Sequence, residues 1–162
     1  MTEAAKMRRD DKAITDTSEL HRILDDAPVL HLGLVDAGRP YVVPLNFARD
    51  GEALYVHCAA EGRKLRCLRD QPAVCVEVAH LLRVTKGPTA CGDWTSHYES
   101  VIGFGTAEVL AGDDERRHGL QRIMAKYSGR GDWDFAPATL AKTTVVRIAL
   151  TALSGKRSPA SA

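Results

Sequence analysis

The clearest periodic pattern in the chain is an alternation of apolar and polar residues in two neighbouring stretches. Residues 41–48 (YVVPLNFA) and residues 54–59 (LYVHCA) place apolar side chains at every second position, which is typical of a strand with one buried face. Asp50-Gly51 lies between them and is a common hairpin turn. The pattern therefore predicts a hairpin, which the basic turn Glu61–Lys64 connects to a short helix.

The rest of the chain contains four more strand patterns and two more helix patterns. Strands are predicted at Val29–Val35, Ala73–Val84, Tyr98–Leu110 and Thr143–Leu153. The two further helices are predicted between Asp16 and Pro28 and from Asp113 to Ser128, in addition to the short helix at Lys64–Arg69. This strand-rich order predicts a mainly β (α+β) fold, an antiparallel barrel with flanking helices. Neither a dinucleotide-binding glycine motif nor a P-loop motif is present in the sequence, which argues against those two folds.

Pro44 is unusual because it lies inside a predicted strand. Proline cannot donate a ladder hydrogen bond, so it indicates a sheet edge, a bulge or a missing neighbouring strand. A plain sheet edge is one interpretation. The other is that a ligand lies along the strand and bonds to free backbone groups near Asn46.

The composition narrows the possible partners and the domain organisation. The 162 residues favour one domain. The 22 basic and 21 acidic residues nearly cancel, so the chain has no large net charge that would attract nucleic acid or a membrane surface. No apolar run approaches the roughly 20 residues of a membrane span, and residues 1–12 lack the apolar region of a secretory signal, so we expect a cytoplasmic protein. We expect a mobile arm at residues 1–13, one domain at 14–157 and a frayed tail at 158–162.

The four cysteines and the acidic residues suggest no catalytic or metal centre. Cys58, Cys67, Cys75 and Cys91 form no CxxC pair, so the sequence predicts neither a disulfide framework nor a metal site. It also contains no GxSxG elbow and no evident pair of catalytic carboxylates. These observations disfavour a hydrolase.

The basic turn Glu61-Gly62-Arg63-Lys64 is the strongest candidate binding element. Backbone N–H groups at a helix N-terminus bind phosphate, and glycine lets the ligand approach closely. Arg63 can bind a phosphate with two hydrogen bonds, and Lys64 acts as a point charge. Taken alone, the turn is more often an ordinary solvated basic surface than a phosphate site.

Four further side chains are candidates for contact with a ligand, and each also has an ordinary structural interpretation. His57 lies in mid-strand, where many histidines belong to a core or an interface. Ser100, next to Tyr98 in a strand expected to lie beside the hairpin, could donate to a phosphate or a ring oxygen. A serine in a strand is also often only part of the polar pattern of the sheet. Trp94 and His97, in the preceding loop, could cover a flat ring, although aromatic residues in loops often only seal a core.

Several of these segments together resemble a known family. The motifs PYVVPLNF, LYVHCAAEGRK and YESVIGFGTAEV, followed by a last strand that ends in SGK, occur in this order. They resemble the pyridoxamine 5'-phosphate oxidase-like split-barrel flavoproteins, and among these most closely the nitroimidazole-resistance (Nim) type. The resemblance extends from Met7 to Lys156.

The resemblance implies a six-stranded antiparallel split β-barrel that forms a homodimer and binds flavin mononucleotide (FMN) at the subunit interface. The cofactor-binding residues that it implies are Val43, Pro44, Leu45, Asn46 and Phe47 along the flavin ring, Arg63, Lys64 and Ser100 at the phosphate, His57 facing the ring, and Trp94, His97 and Tyr98 at the border of the cleft, with the second subunit as a candidate source of the border residues. His57 is also the implied catalytic residue.

The activity that the resemblance implies is two-electron transfer from a reduced nicotinamide to a small acceptor such as a nitro compound or a quinone. The chain ends in SGKRSPASA, without the basic residues that hold the substrate phosphate in true pyridoxamine-phosphate oxidases. This departure argues against the vitamin B6 reaction. The alternatives are a non-catalytic protein of the same fold that binds flavin, deazaflavin or haem, and a dimeric interaction module without a ligand.

Overall fold

The structure is a computed structural model that describes residues 9–89 and 92–158. Most of the predicted arm, Cys91 and most of the predicted tail lie outside the described residues. The strands are β1 Ala13–Ile14, β2 Leu30–Asp36, β3 Arg39–Leu45, β4 Phe47–Asp50, β5 Ala53–Ala59, β6 Ala73–Thr85, β7 Thr95–Val109 and β8 Thr143–Arg157. The helices are α1 Thr17–Asp26, α2 Arg63–Asp70, α3 Asp113–Ser128 and α4 Pro137–Lys142, and a short 3-10 helix at Asp10–Lys12 precedes β1.

All eight strands belong to one antiparallel sheet. Its order is β3-β2-β6-β7-β8-β5-β4, and β1 pairs with β8 in addition. The predicted mainly antiparallel fold with flanking helices is confirmed. The predicted count of six strands is wrong, because the short β1 has no sequence pattern of its own and because one predicted strand is two.

That strand is residues 41–48, which the structure divides at Asn46. β3 pairs with β2, whereas β4 pairs with β5. β3 and β4 are therefore the two opposite edge strands of the sheet. The predicted hairpin therefore involves only β4 and β5. Because a single residue links the two edges, the sheet must roll until they meet. No hydrogen bonds join the edges in the described residues, so the barrel stays split.

Pro44 occupies the edge that its chemistry predicts. Pro44 is in β3 and lies opposite His31 of β2. β3 is an edge strand, with a neighbouring strand on one side only. The missing N–H of proline therefore costs the sheet no interior hydrogen bond. The outer side of β3 at this point remains open.

The helices pack on the two faces of the rolled sheet. α1 and α2 bury apolar side chains in the main core inside the sheet, among them Ile23 and Leu65. α3 and α4 cover the outer face of β4, β5 and β8, where Leu120 and Leu140 pack against Tyr55. α4 was not predicted, although its N-terminal Pro137 is a helix-start signal.

The last strand is longer than its sequence pattern indicated. Ser154–Arg157 was expected to be a polar exit, but these residues continue the ladder between β7 and β8. Gly155 and Lys156 also pair with β1 on the other side. Pairing on both sides holds the polar segment in a strand that its own propensity does not favour.

A buried carboxylate joins α1 to the ends of the two longest strands. Glu99 in β7 is 6% exposed, and its Oε2 atom lies 2.7 Å from Arg22 Nη2 and 3.2 Å from Arg157 Nη2. Arg157 also contacts Glu19, whose pKa is lowered mainly by hydrogen bonds from Arg157 and Arg22. This network fixes α1 against the interior of the sheet.

In the part of the chain that is described, no helix has the length and apolar character needed to span a membrane. The same residues contain no group of three or more His, Cys, Asp or Glu side chains placed to hold a metal ion.

Candidate functional site

The N-terminus of α2 is an uncapped helix end that opens to free space. Its N-cap residue, Gly62, has φ of 137°, a conformation that side chains with L configuration rarely adopt. Gly62 offers no side-chain acceptor to the first N–H groups of the helix, and a Cβ atom at this position would meet nothing within 4 Å. Free N–H donors, the positive end of the helix dipole and open space together suit an anion.

Lys64 adds a cation to this end of α2, close to β5. It makes no salt bridge with any residue of the described ranges. The side chain of His57 is exposed, but the protein atoms around its ring displace part of its water, which lowers its pKa, and the charge of Lys64 lowers the pKa further. Burial raises the pKa of the adjacent Cys58 thiol, and Lys64 partly offsets that rise. Lys64, His57 and Cys58 therefore share one electrostatic environment, in which the imidazole favours its neutral form at neutral pH.

Arg63 is directed toward the turn between β2 and β3. Its Nε atom lies 2.6 Å from Asp36 Oδ2, and its guanidinium carbon lies 4.0 Å from the centre of the Tyr41 ring. Arg63 also lowers the pKa of the Asp36 carboxyl through this hydrogen bond. The carboxylate binds Nε only, so the two Nη groups remain able to donate to a ligand.

The end of β3 brings Asn46 next to His57. The ladder between β4 and β5 begins with Phe47 paired to Val56. Asn46 precedes Phe47 and His57 follows Val56, so these two residues are neighbours just beyond the end of the ladder. Both side chains are exposed. Asn46, His57 and Lys64 are thus the predicted site residues that the fold gathers in one chain.

The predicted ring-binding stretch has two differently placed faces. The side chains of Val43 and Leu45 pack against the main core and Phe47 is fully buried, whereas Pro44 and Asn46 are exposed. A ligand along this stretch would therefore meet the backbone, Pro44 and Asn46.

The backbone N–H of Phe47 is already bonded inside the protein. It donates to the Tyr127 hydroxyl at 3.0 Å, and that hydroxyl donates to the Pro28 carbonyl at 2.8 Å. Lys126 Nζ lies 3.5 Å from the centre of the Phe47 ring. The sequence predicted the helix from Asp113 to Ser128 but gave neither Tyr127 nor Lys126 a role at Phe47, since no local pattern shows what α3 touches.

Ser100, Tyr98 and Trp94 are at a different end of the molecule, which contradicts the prediction that their strand lies beside the hairpin. β7 pairs with β6 and β8. On β8, the partner of Ser100 is Lys156 and the partner of His57 is Val145. Eleven positions of extended chain separate these partners, which at about 3.3 Å per residue is roughly 36 Å of strand. One chain does not bring the two groups together.

The border residues at that end make local contacts. Trp94 is 49% exposed, and its Nε1 donates to the Gly87 carbonyl at 3.2 Å. The Tyr98 ring lies 5.8 Å from Lys12 Nζ. His97, which was expected to border a cleft, is 2% exposed and its Nε2 lies 2.9 Å from the Thr85 hydroxyl. A buried, bonded His97 has no direct access to a ligand.

Solved structures with this fold include proteins that carry redox cofactors. An FAD and haem binding protein from Mycobacterium smegmatis is 28% identical, with a TM-score of 0.81, and the match covers 93% of this chain and 77% of that one. A candidate 5-nitroimidazole antibiotic resistance protein from Bacteroides thetaiotaomicron is 26% identical over 90% of this chain and 86% of its own, with a TM-score of 0.81.

A flavocytochrome from Azotobacter vinelandii is 23% identical over 96% of this chain and 73% of its own, and its TM-score of 0.82 shows a shared fold. No curated protein sequence matches the chain significantly. The family model for pyridoxamine 5'-phosphate oxidase matches residues 16–157, which is nearly the whole described chain. The protein therefore belongs to the pyridoxamine 5'-phosphate oxidase family.

Proposed function

We propose that this protein is an FMN-dependent oxidoreductase, which passes two electrons from a reduced nicotinamide to a small acceptor such as a nitro compound or a quinone. The observation that carries the proposal is the uncapped N-terminus of α2, where Gly62 and Lys64 adjoin Asn46 and His57. The FAD and haem binding protein supports a redox cofactor in this fold, and the nitroimidazole-resistance relative supports a nitro compound as the acceptor.

The residues at α2 fit a phosphate group. The free N–H donors after Gly62 would bind its oxygens, Lys64 would supply the charge, and the two Nη groups of Arg63 would approach from the side of Asp36. Charge-assisted hydrogen bonds of this kind contribute about 1.5–3 kcal/mol each.

The exposed backbone at Pro44 and Asn46 fits the polar edge of a flat ring. A bound flavin would supply reversible two-electron chemistry. Asn46 would donate hydrogen bonds to the ring, whereas the N–H of Phe47 is held by Tyr127. His57, whose lowered pKa favours the neutral imidazole, would offer one donor and one acceptor to the ring or to the acceptor substrate.

The proposed active form is a homodimer. Ser100 lies roughly 36 Å of strand from His57 in one chain, and Tyr98 and Trp94 are further along the chain in the same direction. A second copy would therefore have to supply these residues to complete the cleft. The outer face of the sheet also exposes an apolar groove of about 330 Å³, in which Val42 is 60% and Phe104 is 51% exposed. Covering these side chains with a second copy would remove apolar surface from water.

Purified protein tests the cofactor proposal. We expect a yellow protein whose released ligand is identified as FMN by mass spectrometry. Lys64→Gln should weaken flavin binding at least tenfold, while Arg69→Gln, at the other end of the same helix, should leave it unchanged. A colourless protein that does not take up added flavin would contradict the proposal.

Activity needs a separate measurement. We expect reduced nicotinamide to bleach the bound flavin anaerobically and a nitro compound or quinone to restore its colour. Bound flavin that no nicotinamide reduces would instead support a non-catalytic flavin protein. A haem Soret band, or a deazaflavin in the mass spectrum, would support the second candidate, for which the haem-binding relative from Mycobacterium smegmatis is the specific observation.

Sedimentation tests the homodimer. We expect twice the chain mass of 17.6 kDa, and Phe104→Asp should shift the protein toward the monomer and weaken flavin binding together. Glu108→Gln, on the same strand and outer face but away from the groove, is the matched control. A monomer that binds flavin tightly would contradict the shared cleft.

A further inference from the structure

A polar cavity lies between α1, β4 and α3, and its lining includes neither Gly62 nor Lys64. Its volume is about 330 Å³, and its lining includes Ala48 and Ala125, whose small side chains leave the space free. The charged lining residues are Asp25, Arg49, Arg122 and Lys126. Three of these four groups are cations, and ligand pockets of small metabolites begin at about this size.

One of the three cations is already neutralised. Arg49 donates to both oxygens of Asp25, at 3.0 and 2.6 Å, and to the Gly51 carbonyl at 3.0 Å. This two-bond pair balances the charge of Arg49 with that of Asp25. In the described residues Asp25 forms no salt bridge with either of the other two cations of the cavity.

Arg122 is only weakly bonded. Its Nη2 atom lies 3.7 Å from Asp50 Oδ1 and 3.4 Å from the Arg49 carbonyl oxygen. Asp50 has a shorter contact with His118, at 2.8 Å from Nε2. The guanidinium of Arg122 thus has donors to spare at the cavity.

Lys126 is the least satisfied of the three. Its Nζ lies 3.5 Å from the centre of the Phe47 ring and donates one hydrogen bond, to the Leu24 carbonyl at 3.3 Å. An ammonium has three donors, so in the described residues part of its hydrogen-bonding capacity has no oxygen acceptor. No carboxylate forms a salt bridge with it in the described ranges. Burial lowers its pKa to about 8, and the more distant charges of Asp25 and Asp26 only partly offset this.

We propose that this cavity is a binding site for a small molecule that carries a phosphate or carboxylate group, held by Lys126 and Arg122. The planar fork of an arginine and the point charge of a lysine are a common pair for such oxyanions. The space exceeds that of one inorganic ion, so the ligand has a body as well as its anionic group. The anion would replace the missing counter-ion of the half-buried ammonium, which is the physical reason for binding.

The site is independent of the phosphate position at α2. It is built by α1, β4 and α3 and involves neither Lys64 nor Gly62. The two sites can therefore be separated by variants, since each anion site has its own lysine.

The test is calorimetric titration of the purified full-length protein at pH 7 with inorganic phosphate and, separately, with succinate, at an ionic strength kept constant with sodium chloride. We expect saturable binding of at least one of them, and the stronger of the two identifies the anionic group. Lys126→Met should weaken the binding at least tenfold and Arg122→Gln several-fold. Lys142→Gln, which removes an exposed lysine elsewhere, should leave it unchanged. Lys64→Gln should remove only the binding of phosphate at α2 and preserve the binding that depends on Lys126.

Two results overturn the proposal. One is the lack of saturable binding by either ion. The other is binding that Lys64→Gln abolishes and Lys126→Met preserves, which would place the ion at α2.

A second measurement on the unaltered protein avoids any folding defect of the variants. Lys126 should be acetylated by a limiting amount of acetic anhydride, as followed by mass spectrometry, and the anion that binds in calorimetry should slow this acetylation at least threefold. Lys142 is the internal control, whose acetylation the anion should not change. Equal rates for Lys126 with and without the anion would overturn the site.

Discussion

Tyr127→Phe tests the contact by which α3 holds the start of β4. The substitution removes one oxygen atom, which accepts from the Phe47 N–H at 3.0 Å and donates to the Pro28 carbonyl at 2.8 Å. Phe47 is fully buried, so its N–H would lose its partner without gaining water, at a cost of about 1–2 kcal/mol. Pro28 is exposed and its carbonyl can be hydrated, which adds only about 0.5 kcal/mol.

The expected total is therefore about 2 kcal/mol of unfolding free energy. For a chain of this size that corresponds to a melting temperature lower by about 4–8 °C. Thermal and urea denaturation measure the loss, and the amide of Phe47 should exchange its hydrogen faster in the variant. Tyr55→Phe is the matched control, because the Tyr55 hydroxyl has no hydrogen-bond partner in the described residues.

A melting temperature within 1 °C of the unaltered protein, together with unchanged protection of the Phe47 amide, would refute this reasoning. It would show that water or another group accepts the hydrogen bond from the Phe47 N–H, and that α3 does not hold the start of β4. Loss of stability in Tyr55→Phe as large as in Tyr127→Phe would also refute it, because the effect would then follow from tyrosine hydroxyls in general.

Three further outcomes follow from the contacts described above. Glu99→Gln should lower the unfolding free energy by about 1–3 kcal/mol in urea, because two arginines lose their buried charged partner; an unchanged midpoint would contradict this. The pKa of His57, measured by NMR, should lie below 6.5, and Lys64→Gln should raise it. Because the imidazole binds a proton more readily in the unfolded chain than in the folded one, His57 makes the fold less stable as the pH falls through 6.5. Gly119→Ala should destabilise by about 1 kcal/mol despite the better helix propensity of alanine, since the new Cβ would lie 2.7 Å from Tyr55 Cδ1, and a stabilised variant would show that the sheet yields there.

The sequence predicted most elements to within a few residues, because their patterns are local. It could not predict the break at Asn46, since Tyr41, Val43, Leu45 and Phe47 keep the same alternation across it and face the same interior. Period-2 alternation reports which face is buried but not which strand is the neighbour.

The candidate site divides in the same way. The turn at Gly62 and Lys64 could be recognised from residue types, because a helix start and a cation are properties of a short segment. The pairing of Arg63 with Asp36 and the position of Ser100 opposite the far end of β8 depend on contacts between distant segments. No spacing in the sequence encodes such distances.

The single-residue link at Asn46 has a consequence for chain connectivity. Ala13 pairs with Lys156, so the two ends of the domain lie side by side, and a short linker could join them. A circularly permuted chain that begins at Phe47 and ends at Asn46 would keep every ladder of the sheet but lose the link between its two edges. The difference in unfolding free energy between the permuted and the natural order would measure how much this one covalent connection contributes to rolling the sheet.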